Sequence, residues 1–126
     1  MGFAKGELIL EIGYGPDCDD ALRADIKKIV ATDFHEDTTT EVVDAVLLWF
    51  REGDGDLVDE LMDASTYLSE TGPIWVLTPK VGRDGHVELR DIQDAGPTCG
   101  LSQTSTIAVA KDWTATRLVA RKAGKR

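Results

Sequence analysis

The sequence predicts an α/β protein of three layers, in which a mostly parallel sheet lies between helices and a C-terminal antiparallel hairpin closes the chain. Three observations lead there. Short apolar, β-branched runs begin near Leu8, Val43 and Ile74, and each reads as a strand buried on both faces. Segments with apolar residues at helical spacing separate these runs, and right-handed crossovers place such helices on both sides of a sheet. Two final strand-like runs are joined by Lys111-Asp112, as in a hairpin.

Leu8-Ile9-Leu10-Glu11-Ile12 is the first strand, and Gly13-Tyr14-Gly15-Pro16-Asp17 is the turn that follows it. Asp17, Asp19 and Asp20 mark a helix start, because carboxylates accept from free N–H groups and suit the positive end of the helix dipole. Leu22, Ile26, Ile29 and Val30 form that helix's apolar face, with Lys27 and Lys28 near its negative end. Thr32 to Glu41 is a polar, threonine-rich loop with room for a short edge strand. Val42 to Phe50 supplies the second strand, with Asp44 where it begins. Gly53-Asp54-Gly55-Asp56 breaks it and offers an N-cap, after which Leu57, Leu61, Ala64 and Leu68 recur at helical spacing up to a stop at Gly72-Pro73. Ile74 to Thr78 is the third strand, closed by Pro79-Lys80. A loop from Val81 to His86 leads to a short helix from Leu89 to Cys99, which Gly96-Pro97 is expected to strain or split before Gly100 stops it. Gln103 to Ala110 and Trp113 to Ala120 form the hairpin.

The 126 residues, 42% of them hydrophobic, suit a single domain over positions 1–120, with 121–126 a basic tail. Cys18 and Cys99 lie far apart and outside any metal-ligand spacing, so neither a disulfide framework nor a zinc site is indicated. A formal charge of -9 repels polyanions, which excludes nucleic-acid binding through the body of the domain. Arg117, Arg121, Lys122, Lys125 and Arg126 gather at the end and read as a solvated tail. No secretory pattern opens the chain and no apolar run approaches the roughly 20 residues of a membrane span, so no membrane association and cytoplasmic residence are the expectations.

Glu11-Ile12-Gly13-Tyr14-Gly15 at the end of a first strand resembles the opening motif of Rossmann-like methyltransferases, whose glycines let the backbone approach S-adenosylmethionine. Asp44-Ala45-Val46-Leu47-Leu48-Trp49, Pro73-Ile74-Trp75-Val76-Leu77 and the closing hairpin resemble the second half of that fold. The likeness implies a reduced Rossmann-like fold. Asp17 stands at the third glycine position, and the span from Gly15 to Val46 is too short for the usual pair of βα units, one of which carries the acid that binds ribose. Asp33 and Glu36 are the nearest substitutes. The segments Asp44 to Trp49, Ile74-Trp75-Val76-Leu77-Thr78-Pro79-Lys80 and Asp112-Trp113-Thr114-Ala115-Thr116-Arg117-Leu118-Val119 also resemble a family of short actinobacterial proteins, domain of unknown function family 3052, which implies the same reduced fold and no established activity.

A ligand of such a sheet binds at the carboxyl ends of its strands. That edge gathers the candidate binding residues Gly13, Gly15, Asp17, Thr78 and Lys80, with Arg51 and His86 nearby. Lys80 suits a phosphate or carboxylate, and the two glycines give access to main-chain donors. His35 and His86, each flanked by acids, fit either a general base or an exposed loop histidine. No nucleophile elbow, phosphate loop or metal set is present. Trp49, Trp75 and Trp113 fall on strands as core or interface residues; with the C-terminal hairpin at the sheet edge, Trp113 and its neighbours would offer a pairing or packing surface to a protein partner or a second copy, giving a homodimer. Two functions are consistent with these residues. One is a non-enzymatic binding or regulatory module without a cofactor. The other is a small S-adenosylmethionine- or nucleotide-dependent transferase, with Gly13, Gly15 and Asp17 at the cofactor and Lys80 or His86 near the substrate.

Overall fold

The computed structural model describes residues 2–34, 42–70 and 72–120. Its elements are β1 (Ile9–Ile12), α1 (Asp20–Val30), β2 (Ala45–Trp49), α2 (Leu57–Thr66), β3 (Ile74–Pro79), α3 (Leu89–Thr98), β4 (Leu101–Ala108) and β5 (Trp113–Ala120). The strands make one sheet in the order β1-β2-β3-β5-β4. β1, β2 and β3 are parallel, and β5 runs antiparallel to both β3 and β4. The three-layer α/β architecture expected from the sequence is the one observed.

Alternation along the strands divides the core in two. On one face Ile9, Leu47, Trp49 and Leu77 pack under Ile26 and Val30 of α1. On the other, Leu10, Val46, Leu48 and Val76 pack under Leu57 and Leu61 of α2 and Ile92 of α3. The starts of α1 and α2 form as their sequences require: Asp19 accepts from Leu22 N at 2.8 Å and Asp56 from Val58 N at 3.0 Å.

Three expectations are corrected. α2 ends at Thr66 instead of continuing to Gly72, because Ser65 and Thr66 turn their hydroxyls back onto the Leu61 and Met62 carbonyls and the chain beyond them bridges to Val43. Gly72 serves a close approach, since a Cβ there would overlap the Asp44 carbonyl oxygen. α3 runs unbroken through Gly96-Pro97. The proline falls in the last turn, and the glycine before it lacks the Cβ that crowds a helical pre-proline residue. The hairpin does lie at the sheet edge, but Trp113 is not on its exposed side: β5 is its inner strand, β4 is the outer one, and Trp113 is buried edge-to-face against Trp49 with ring centroids 4.8 Å apart. A central position follows from the many apolar residues of β5, whereas the hydroxyl-rich β4 tolerates an exposed side.

Positions 35–41, which include His35 and Glu36, and the basic tail 121–126 lie outside the described residues. Among the described residues no helix is long and apolar enough to cross a membrane, and no group of acids, histidines and cysteines is disposed to hold a metal ion.

Candidate functional site

The parallel strands end side by side, and their ends and the loops that leave them hold every candidate binding residue. The structure separates those residues into two places. Gly13, Gly15 and Asp17 meet Arg51 above β1 and β2, whereas Thr78 and Lys80 line a cavity with His86 on the α3 side of the sheet.

At the first place Arg51 dominates. Its side chain is 17% exposed, and its Nε and Nη2 each donate to an Asp17 carboxylate oxygen at 2.8 Å. Nη1 donates to the Gly13 carbonyl at 2.9 Å and to Asp54 at 3.1 Å. Three further bonds hold the loop: Gly15 N donates to Cys18 Sγ, Cys18 N to the Gly15 carbonyl, and Trp113 Nε1 to the Asp17 carbonyl. Beside it a space of about 230 Å³ is lined by Gly13, Tyr14, Trp49, Arg51, Asp54 and Glu60. Small-molecule sites usually begin at roughly 300 Å³. Burial and the neighbouring acids Asp63, Asp54 and Asp59 push the Glu60 carboxyl above its ordinary value.

Hydrogen bonds from Arg51 hold the Asp17 carboxyl below its ordinary value, against an opposing push from burial. A depressed folded value means that the pair contributes stability above the unfolded carboxylate range, and that this contribution is lost as pH falls through the folded value. Asp17→Asn is therefore expected to destabilise the protein at pH 7 by about 1 kcal/mol or less, since Asp17 is half exposed. The difference from the natural chain should shrink as pH is lowered from 5 to below 3, approximate bounds set by the carboxylate range. Urea midpoints of the two proteins across that interval measure it; a constant difference would contradict the pairing. Cys18 is raised chiefly by burial and stays a thiol near neutrality.

Sequence reasoning missed the cluster beneath this loop. Glu11, 7% exposed, accepts from Arg23 Nε at 2.6 Å and Nη2 at 2.8 Å, and from Trp49 Nε1 at 3.0 Å. Arg23 also stacks over the Tyr14 ring at 3.9 Å, and Tyr14 donates its hydroxyl to Asp20. One signal was present: an acid inside the run Ile-Leu-Glu-Ile must find partners once the strand is buried. Asp33, a candidate for ribose, is instead almost fully exposed and 3.9 Å from Lys27.

The second place is a cavity of about 500 Å³ between the end of β3 and the start of α3. Thr78 and Lys80 line it from β3 and the residue after it, and His86 from the following loop. His86 Nδ1 donates to the Pro79 carbonyl at 2.8 Å, and its Nε2 lies 3.4 Å from Glu88.

The sheet order, the layers and the glycine loop define a reduced Rossmann-like protein with a methyltransferase-like fold. A putative methyltransferase from Thermoplasma acidophilum shares it with a TM-score of 0.68 at 11% identity, over 98% of this chain and 71% of that one. A SAM dependent methyltransferase from Aquifex aeolicus shares it with a TM-score of 0.60 at 11% identity, over 93% of this chain and 84% of that one. The chain itself belongs to the family described as protein of unknown function (DUF3052), whose model matches residues 1–122. Uncharacterized proteins of Mycobacterium tuberculosis and Mycobacterium bovis are 48% identical to it over 128 aligned positions, spanning 100% of this chain and 80% of theirs.

Proposed function

We propose that this chain is a non-enzymatic binding or regulatory module, in which the cofactor loop of a methyltransferase-like fold is closed by the protein's own side chains. The Arg51–Asp17 pair carries the reading. It fills the space over the glycine loop with a bidentate ion pair and holds the Gly13 carbonyl in place. The loop's polar groups, bonded to Cys18 and Trp113, would have to give up partners before a nucleoside cofactor could enter. The platform for ribose is also missing among the described residues, because β1 is the edge of the sheet and no strand lies outside it.

The alternative, a small S-adenosylmethionine- or nucleotide-dependent transferase, draws its support from the fold shared with the Aquifex protein. One titration separates the two. A ligand at 100 times its dissociation constant adds about 2.7 kcal/mol to the folded state and raises Tm by several degrees. A flat Tm is expected with S-adenosylmethionine, S-adenosylhomocysteine and common nucleotides; a saturable rise with any of them would favour the transferase.

A further inference from the structure

The sheet face beneath α3 changes character along its length. At Ile74, Val76 and Leu118 it is apolar and buried. Towards the end of β3 it carries Thr78, Thr106, Thr114 and Thr116, with Thr78 opposite Thr114 and Thr106 opposite Thr116, and all four line the 500 Å³ cavity. Valine would fill these strand positions as well, but a hydroxyl needs a partner. The Thr106 and Thr116 oxygens lie 3.4 Å apart. Thr78 is only 3% exposed and lines the cavity.

The rim sets one cation, Lys80, beside one acid, Glu88, which faces His86. Lys80 makes no ion pair among the described residues. The ten-residue helix α3 begins at the opening, its N-cap Glu88 makes no side-chain capping bond, and Asp91 N–H donates to the Glu88 carbonyl, which leaves the N–H groups of Leu89 and Arg90 for another acceptor. His86 is anchored through Nδ1, which leaves Nε2 as its available polar atom, shared with Glu88.

We infer that this cavity binds a small monocarboxylic acid with an apolar body. Lys80 and the first N–H groups of α3 hold the carboxylate, Thr78 supplies a hydroxyl, and Val87, Leu89 and Ile92 pack against the body. A single lysine beside a histidine already shared with Glu88 matches one negative charge. A nucleotide polyphosphate would meet too few cations on a chain of net charge -9. The volume lies within the range of roughly 300–1,000 Å³ common for small-molecule sites. The inference rests on the reading of the chain as a binding module and supplies the class of its ligand.

The test is an NMR titration of the full chain with 4-phenylbutyrate, beside its neutral amide and inorganic phosphate. Saturable shifts are expected at Thr78, His86 and Thr116, with the amide about tenfold weaker or more and phosphate showing none. Lys80→Met should weaken 4-phenylbutyrate about tenfold, and the near-isosteric Thr78→Val a few-fold, with resonances away from the cavity unchanged as proof of fold. Equal binding of acid and amide, saturation elsewhere, or no saturable shift would overturn the inference. The two readings fail separately: shifts at Gly13, Gly15 and Asp17 with S-adenosylmethionine would remove the module reading, whereas silence towards 4-phenylbutyrate removes only the ligand class.

Discussion

Glu11→Ala should lower stability by about 3 kcal/mol, the cost of breaking a buried ion pair from one side. The carboxylate is the shared acceptor of Arg23 and of Trp49 Nε1. Its loss leaves the buried indole N–H without a partner and the guanidinium, 18% exposed, with only the exposed Asp20 at 3.3 Å. For a domain of this size the urea midpoint should fall by about 1–2 M with an unchanged slope. Glu11→Gln keeps an acceptor oxygen and should lose roughly half as much. The double variant Glu11→Ala/Arg23→Ala should cost less than the sum of the singles, because each single strands the other's charge. A shift below about 1 kcal/mol in Glu11→Ala, the scale of an exposed pair, would show that the cluster is solvated.

Gly13→Ala should be of similar size, for a reason unconnected with any ligand. Gly13 has φ of 84°, and a Cβ on it would overlap the Trp49 carbonyl oxygen at the end of β2. The left-handed backbone costs roughly 1–2 kcal/mol for an alanine, and displacing the neighbouring strand costs about 1–3 kcal/mol more. Gly82→Ala is the matched control: its φ of 87° carries the same backbone cost, but nothing lies within 4 Å of the added carbon. Thermal or urea unfolding of the two variants isolates the overlap. If Gly13→Ala were no worse than Gly82→Ala, the glycine's place in the packing would be refuted, and ligand access would again be the simplest account of it.

These two positions show why the site was less legible than the fold. The Glu-x-Gly-x-Gly order at positions 11–15 was visible and correctly marked the first strand and its turn. Its meaning was not, because Glu11 and Gly13 are explained by residues far along the chain, Arg23, Trp49 and Arg51. Thr78 and Lys80 were placed at the right edge of the sheet but with the wrong neighbours. Strand parity sends Thr78 to the α3 face, away from the glycine loop.

Local chemistry in the sequence determined the strands at Ile9, Ala45 and Ile74, the caps at Asp19 and Asp56, and the alternation that sets helices on two sides of a sheet. Periodicity and capping act over a few neighbouring residues, so they can be read from the chain alone. Tertiary structure decided that β5 lies inside β4, that Arg51 closes over Asp17, and that the roomier apolar cavity opens beneath α3. Each of these depends on which distant segments share a face, and hydrogen-bond and packing energies between such segments leave no periodic trace in the order of residues.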